Sequence, residues 1–520
     1  KKWLKQYPAL EGIPIVGDQH WLLGHIPHLA SQDFEEGLKK IAVEHADQDG
    51  LSCFYIRNLP ALCITRGRDV KLVLSQTVLR HLDPMIQKHI LRFLGCSALF
   101  VMNGKLWKLY RSAIHRVFTR QALRRCQSSI NRVSLTLACS LIRRIEASPD
   151  RTVMLDILPL AQMATMENFG SSTMGVDFKC CENLSSSPIA EAFDYLSDDS
   201  TRRTMAPFNP FAQFYVFPTR RNRLNKHYRV ALRQLLGNVI KARRDGNGNS
   251  LQQSDLLTNI INVVEYNIST CNIDKNSREA ISHELMLDMV TSLLFAGYDT
   301  TSLAITYALY LISAHPQVQK ICVEESINTL GNDTNSMPRD FDPDEKLHYI
   351  RAVVYEALRL YPPAPQTMRV LERPLKLHNH TIPAGVKVFV PIWEIHRDPN
   401  NFPRPLEFLP ERWVRKKDNK NEEGAGIQWE ERYEDDNHGS TGEDFVPPAN
   451  RDAFVAFSAG ARNCLGQKLA IQESVTLLAI LLRCLKFDIV PGYVPQPRKA
   501  GPIQRPHGGV PLIIQRRTSC

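Results

Sequence analysis

Phe457-Ser458-Ala459-Gly460-Ala461-Arg462-Asn463-Cys464-Leu465-Gly466 sets a cysteine between a glycine-bearing turn and the stretch 466–486. In that stretch Leu469, Ala470, Leu477, Leu478 and Leu481 recur at helical spacing. A thiol placed there stands at the positive end of a helix dipole, and Arg462 two residues away is a second reason to favour thiolate over thiol. A thiolate so held is a nucleophile or a metal ligand. A buried cysteine that merely opens a helix fits the spacing as well, so the rest of the chain has to decide.

Three other strings, far apart, carry chemistry. Glu356 and Arg359, in Tyr355-Glu356-Ala357-Leu358-Arg359-Leu360-Tyr361-Pro362-Pro363, lie three apart on a predicted helix and can pair. A surface salt bridge is the ordinary outcome of that spacing. A predicted helix over 281–313 holds Ala296-Gly297-Tyr298-Asp299-Thr300-Thr301 amid apolar residues. There Gly297 costs about 1 kcal/mol of helix stability and a buried Asp299 needs compensation, unless the string is an exposed polar flank. Trp107 and Arg111 share a helix face in a stretch that also bears Lys105, Lys108, His115, Arg116, Arg120, Arg124 and Arg125. That stretch reads equally as a solvated basic face or as a docking surface for an acidic partner.

In order along the chain, these strings resemble the signatures of the cytochrome P-450 family of haem-thiolate monooxygenases. The likeness runs from about residue 50 to the C-terminus and is densest over 288–470. FxxGxRxCxG matches at Phe457, Gly460, Arg462 and Cys464, which implies haem b with Cys464 as the axial iron ligand. The ExxR helix, with Arg412 of Phe408-Leu409-Pro410-Glu411-Arg412-Trp413 as third partner, implies a buried set that supports the cysteine loop. The oxygen-activation motif implies that Asp299 and Thr300 lie beside bound O2 and deliver protons to its distal oxygen. Trp107, Arg111 and, more loosely, Arg369 match residues that contact the haem propionates. FSAGxRNCxGQxxA and HRDPxxFPxPxxFxPERW are similar to the eukaryotic microsomal branch that includes fatty-acid hydroxylases. Ala296 stands where many of those have a glutamate that esterifies the haem, so no covalent attachment is expected.

The remaining arithmetic bounds this reading. The 520 residues are 43% hydrophobic and 23% charged, which excludes a disordered or disulfide-stapled chain. Twelve cysteines without a CxxC pair fit reduced thiols. Formal charge is +10, yet 418–444 concentrates ten acids against Lys420 and Arg432, leaving 62 basic and 44 acidic residues elsewhere. No run of 18 apolar residues occurs, so nothing spans a membrane unaided. The start at Lys1-Lys2-Trp3 suggests a trimmed anchor or targeting segment.

The expected fold is mainly α: one P-450 haem domain over 1–520, with haem between the cysteine loop and the long central helix. Residues 1–75 and 361–413 supply most of a small β-rich lobe, 76–360 and 451–490 the helical core. Residues 180–205 and the acidic insertion 415–450 are expected to be exposed and mobile, and 7–30 an irregular lead-in. No dinucleotide fingerprint or flavin module is present, so the resemblance implies electrons from an NADPH-cytochrome reductase. It further implies O2, a small lipophilic substrate (fatty acid, terpenoid or sterol) and no nucleic acid. An upstream apolar anchor would hold the domain on the cytosolic face of the endoplasmic reticulum membrane. Substrate contacts fall by analogy at Phe93, Leu94, Phe100, Met102, Phe208, Phe211, Phe214, Phe217, Leu293, Ala296 and 364–367. The rivals are a haem-thiolate isomerase or dehydratase acting without O2, which an intact Asp299–Thr300 pair argues against, and a non-enzymatic haem-binding protein.

Overall fold

The computed structural model describes residues 10–17, 20, 24–25, 34–56, 59–80, 84–115, 118–204, 213–245, 256–269, 275–333, 337–338, 341–417, 428–432, 448–497 and 503–517. Twelve helices of ten or more residues lie among them: α1 (Gly67–Gln76), α2 (Pro84–Leu94), α3 (Gly104–His115), α4 (Arg120–Glu146), α5 (Ile157–Phe169) and α6 (Pro188–Thr204), followed by α7 (Arg220–Arg244), α8 (Leu256–Ser269), α9 (Lys275–Ala314), α10 (Pro316–Leu330), α11 (His348–Leu360) and α12 (Gln467–Cys484). The basic stretch from Lys105 to Arg125 divides between α3 and α4. Extended Thr119 starts α4, its hydroxyl accepting from the Ala122 amide at 3.4 Å.

A four-stranded sheet runs in the order Leu51–Ile56, Leu59–Ile64, Lys387–Val390, Thr367–Val370. Its middle pair is parallel and joins two segments far apart in the chain, 51–64 and 367–390. A second sheet joins Leu485–Ile489, Pro511–Arg516 and Thr152–Asp156.

The 40-residue α9 is the axis of the helical part and packs on α5, α8, α11 and α12. Being apolar on nearly every side, it is a core helix rather than an amphipathic one. Gly297 faces α5: a Cβ there would meet the Phe169 ring at 2.6 Å. The helix-weakening glycine therefore permits close helix packing. No described helix is long and apolar enough to cross a membrane.

Two expectations change. The stretch 180–205 is no mobile excursion: Cys180–Asn183 forms a short helix and 188–204 is α6, with Ile189, Ala192, Phe193 and Leu196 buried. Its charges misled because Asp199 and Arg203, four apart, turn inward and pair at 2.7 Å. Of the acidic insertion, 418–427 and 433–447 lie outside the described residues. Between them Trp429–Glu431 pairs with Val414–Lys416, and Trp429 is buried with its ring 4.7 Å from that of Tyr349. One aromatic thus ties the insertion to α11.

Candidate active site

Cys464 follows a loop whose shape requires Gly460. With φ +66°, a Cβ at Gly460 would lie 2.1 Å from the Leu74 carbonyl oxygen at the end of α1. The Cys464 amide donates to the Phe457 carbonyl at 2.8 Å and that of Asn463 to Gly460 at 3.1 Å, closing the loop before α12. Ten of the cysteines lie among the described residues, and Cys464 is one of two that are exposed. Protein nonetheless surrounds the thiol on its other sides. That burial pushes its pKa up, opposed by the amides of Gly466 and Gln467 and by Arg111 and Arg80. The expectation that Arg462 favours the thiolate is therefore corrected. Its Nε donates to Val78 O at 2.8 Å and its Nη2 to Met102 O and Asn103 Oδ1, both at 2.7 Å, over the Trp107 ring at 3.8 Å.

Arg462 belongs instead to a group of four cations. Arg111 donates to Asn463 O at 2.8 Å and lies 5.7 Å from the centroid of the buried Trp107 ring. Fully buried Arg369 donates to Thr367 Oγ1 at 2.7 Å and Ser458 Oγ at 2.9 Å. Arg80, which lies in no sequence signature, completes the set. Burial and mutual repulsion push Arg369 down to about 8, Arg462 to about 9 and Arg80 to about 10. The Nε atoms of Arg369 and Arg80 are buried without a hydrogen-bond partner. An open thiol beside guanidinium groups short of anions fits a macrocycle carrying iron and two carboxylates: Cys464 could take the metal and the arginines the carboxylates.

Behind the loop, Glu356, Arg359 and Arg412 are all fully buried, with Glu356 2.8 Å from Arg359 and 3.2 Å from Arg412. Trp413 Nε1 and the Leu409 amide also donate to this carboxylate, at 3.0 and 3.1 Å. Arg359 donates onward to the carbonyls of His396 and Glu407 at 2.8 and 2.9 Å. Buried His396, pushed down to about 3 chiefly by burial, is neutral. Its Nδ1 donates to Arg359 O at 3.1 Å and its Nε2 accepts from the Val455 amide at 3.1 Å. A continuous chain of hydrogen bonds therefore links the ExxR helix to the segment leading into the cysteine loop. His396 is the link that motif reading passed over.

On α9, Ala296 is exposed although it lies mid-helix in the core, and Thr300, one turn on, is half-buried. The Thr300 hydroxyl donates to Ala296 O at 2.7 Å. The neighbouring Leu293 and Phe295, and Leu465 after the cysteine, each pack against the same apolar cluster. Asp299 does not share this face. It is fully buried, 2.8 Å from Arg505, which is also 3.0 Å from Asp194 of α6. Having found a cation, the carboxylate turns toward it, and the expected side-by-side Asp299–Thr300 pair is replaced by a hydroxyl on one face and an ion pair on another. Only spatial proximity marks Arg505, which sits in no motif.

Of the substrate positions, Phe93, Leu94 and Pro365 are buried, Met102, Leu293, Ala364, Gln366 and Thr367 are half-buried, and Phe100, Phe214 and Phe217 are exposed. Phe208 and Phe211 lie outside the described residues. On the basic face Lys105 and Lys108 are exposed, Arg116 is outside the described residues, and Arg120 and Arg124 are engaged by Glu345 and Asp342.

A family model described as cytochrome P-450 matches residues 14–509, and the chain belongs to that family. Its class is that of a monooxygenase with a haem-iron cofactor, served by a redox partner, a substrate and O2. It is 24% identical to cytochrome P-450 4V2 of Rattus norvegicus over 526 residues, which cover 99% of this chain and 91% of that one. It is 27% identical to probable cytochrome P-450 4d20 of Drosophila melanogaster, covering 79% and 75%. It is also 27% identical to cyclooctat-9-en-7-ol 5-monooxygenase of Streptomyces melanosporofaciens, covering 57% and 54%.

Proposed function

We propose that this monooxygenase inserts one atom of O2 into a lipophilic substrate and reduces the other to water. The two electrons come from NADPH through a separate reductase, at the cytosolic face of the endoplasmic reticulum membrane. The whole chain acts as one haem domain. The observation that carries the reading is the open Cys464 thiol beside four guanidinium groups.

Cys464 would bind the iron of haem b, which supplies the centre for O2 reduction. Phe457 and Gly460 shape its loop, and Trp107, Arg111, Arg369 and Arg462, joined by Arg80, hold the two propionates. The Thr300 hydroxyl, held at the Ala296 carbonyl, passes protons on the open face of α9. Asp299 can serve that hydroxyl only after leaving Arg505. Lys105 and Lys108 are two exposed cations of the basic face that an acidic reductase would meet.

Cys464→Ser tests the assignment. The variant should lose the strongly red-shifted Soret band of the reduced carbonyl complex, and its retention would exclude this cysteine as ligand. The removal of Asp299 into an ion pair is the one feature that favours an oxygen-independent isomerase. O2 and NADPH consumption with a reconstituted reductase separates the two readings, since turnover without either would establish the isomerase.

A further inference from the structure

The basic stretch from Lys105 to Arg125 meets carboxylates at one end and not at the other. On α3, Lys105 and Lys108 are exposed, and neither has an ion pair among the described residues. At the start of α4, the side chains of Arg120 and Arg124 are 64% and 63% exposed and face Asp342 and Glu345. Arg120 is 2.8 Å from Glu345 and 4.0 Å from Asp342; Arg124 is 3.6 Å from Asp342 and 3.8 Å from Glu345. Two arginines one helical turn apart therefore share two acids.

The acids are held in that position by their own backbone. They lie three apart on the turn 341–347, which is anchored by buried Phe341 and buried Leu347. Arg351 of α11 donates to Pro343 O at 2.7 Å, and the amides of Glu345 and Leu347 donate to the carbonyls of Asp342 and Pro343 at 3.2 and 3.3 Å. An isolated exposed ion pair contributes little, but here a pinned turn sets a network of four charges opposite a helix start. The network lies on the thiol's side of the molecule. Arg111 of α3 donates to Asn463 O at 2.8 Å, and a Cβ at Gly466 would lie 3.9 Å from the ring of Phe118, two residues before α4. The two helices thus touch the cysteine loop on either side of Cys464.

An acidic protein approaching that loop meets open cations on α3 and occupied ones on α4. We propose that Asp342 and Glu345 hold the place of the partner's carboxylates: the partner docks on Lys105 and Lys108, and gains Arg120 and Arg124 only by exchanging its own acids for this pair. The chain thereby competes with its partner for half of the docking face, which limits affinity and keeps the contact reversible. This adds a built-in restraint to the docking surface of the proposed function, and rests on it in taking an acidic reductase as the partner.

The test is binding of the haem-loaded full chain, without turnover, to two immobilised acidic probes, NADPH-cytochrome reductase and poly-L-glutamate. At about 0.1 M salt, charges more than about 10 Å apart are largely screened, so the measurement reads local contacts. Asp342→Asn/Glu345→Gln should bind both probes about three- to tenfold more tightly, because the weak exposed pairs no longer have to be exchanged. Arg120→Gln/Arg124→Gln should cost more in that background than in the wild type, since only there are both cations free to reach the probe. Asp150→Asn/Glu182→Gln is the control for net charge. Asp150 follows the far end of α4 and Glu182 O accepts from Ser140 Oγ at 3.3 Å, so both lie about 30 Å or more along that helix from Arg120. This control should change neither affinity by more than about twofold. An equal gain from the control, no gain from Asp342→Asn/Glu345→Gln with either probe, or an arginine cost that is the same in both backgrounds overturns the proposal. A gain with polyglutamate alone upholds the self-occupied face and removes the reductase as the partner, so the two failures are told apart.

Discussion

Around Glu356, one carboxylate receives two guanidinium groups, an indole N–H and a backbone amide, and the arginines spend most of their other donors on carbonyls, Arg412 Nη1 alone staying buried without a partner among them. Around Arg369, four guanidinium groups crowd together, burial and then repulsion from neighbouring arginines lower the pKa of Arg369, Arg462 and Arg80, and two of the four keep a buried Nε without a partner. Both regions bury arginine. The first carries its own anion, Glu356, as a scaffold does; no hydrogen bond given above for the second reaches a carboxylate, which is the arrangement that fits anions from outside.

Breaking the closed network should give the largest effect. Glu356→Ala strands Arg359 and Arg412 in the interior at about 3–5 kcal/mol, with haem-free or insoluble protein as the result. Chemical denaturation checks this against Glu356→Gln, which keeps the hydrogen-bonding shape and should lose less. A Glu356→Ala protein of wild-type stability would make the network dispensable.

The open cluster should respond in the opposite sense. Arg369→Gln gives up hydrogen bonds to Thr367 and Ser458 but relieves repulsion from Arg80 and Arg462. The haem-free protein should therefore change by no more than about 1 kcal/mol. Haem should dissociate about 10- to 100-fold faster, the equivalent of one charge-assisted hydrogen bond. Transfer of haem to an apo-globin acceptor measures the rate. Equal damage to the apo and loaded forms would erase the distinction between the two regions.

The sequence carried the local patterns well and the long-range pairings poorly. Helical spacing placed the helix expected over 281–313 within six residues of α9 and the stretch 466–486 within two of α12, because apolar residues repeat every three to four positions there. Glu356, Arg359 and Arg412 were findable as a set through the resemblance; their spacing alone paired the first two and favoured a surface bridge. Arg80, His396 and Arg505 were not, since each acts through a partner distant in the chain. Charge sign also misled. Asp199 and Arg203 read as surface residues because spacing cannot say which way a helical pair turns, and Asp299 read as a site acid because nothing near it announced Arg505.

The smallest effect lies at the surface, where closure can be undone by pH. His378, in the turn between strands Leu375–Leu377 and His380–Ile382, is 2.8 Å from Asp69 of α1 and 3.5 Å from Asp49. The hydrogen bond to Asp69, ahead of opposing desolvation, raises its pKa above the ordinary histidine value. A raised folded-state pKa means that its stabilising contribution is full below about 6.5 and fades as pH rises through the folded value. Because solvent screens this turn, the contribution should stay under about 1 kcal/mol. Denaturation midpoints of wild type and His378→Gln should therefore differ most near pH 5.5 and converge toward pH 9, with the gap shrinking in high salt. If the gap instead matched that of Glu356→Ala and ignored both pH and salt, burial would not be what separates strong closed networks from weak ones. The contrast between the two arginine clusters would then need another cause.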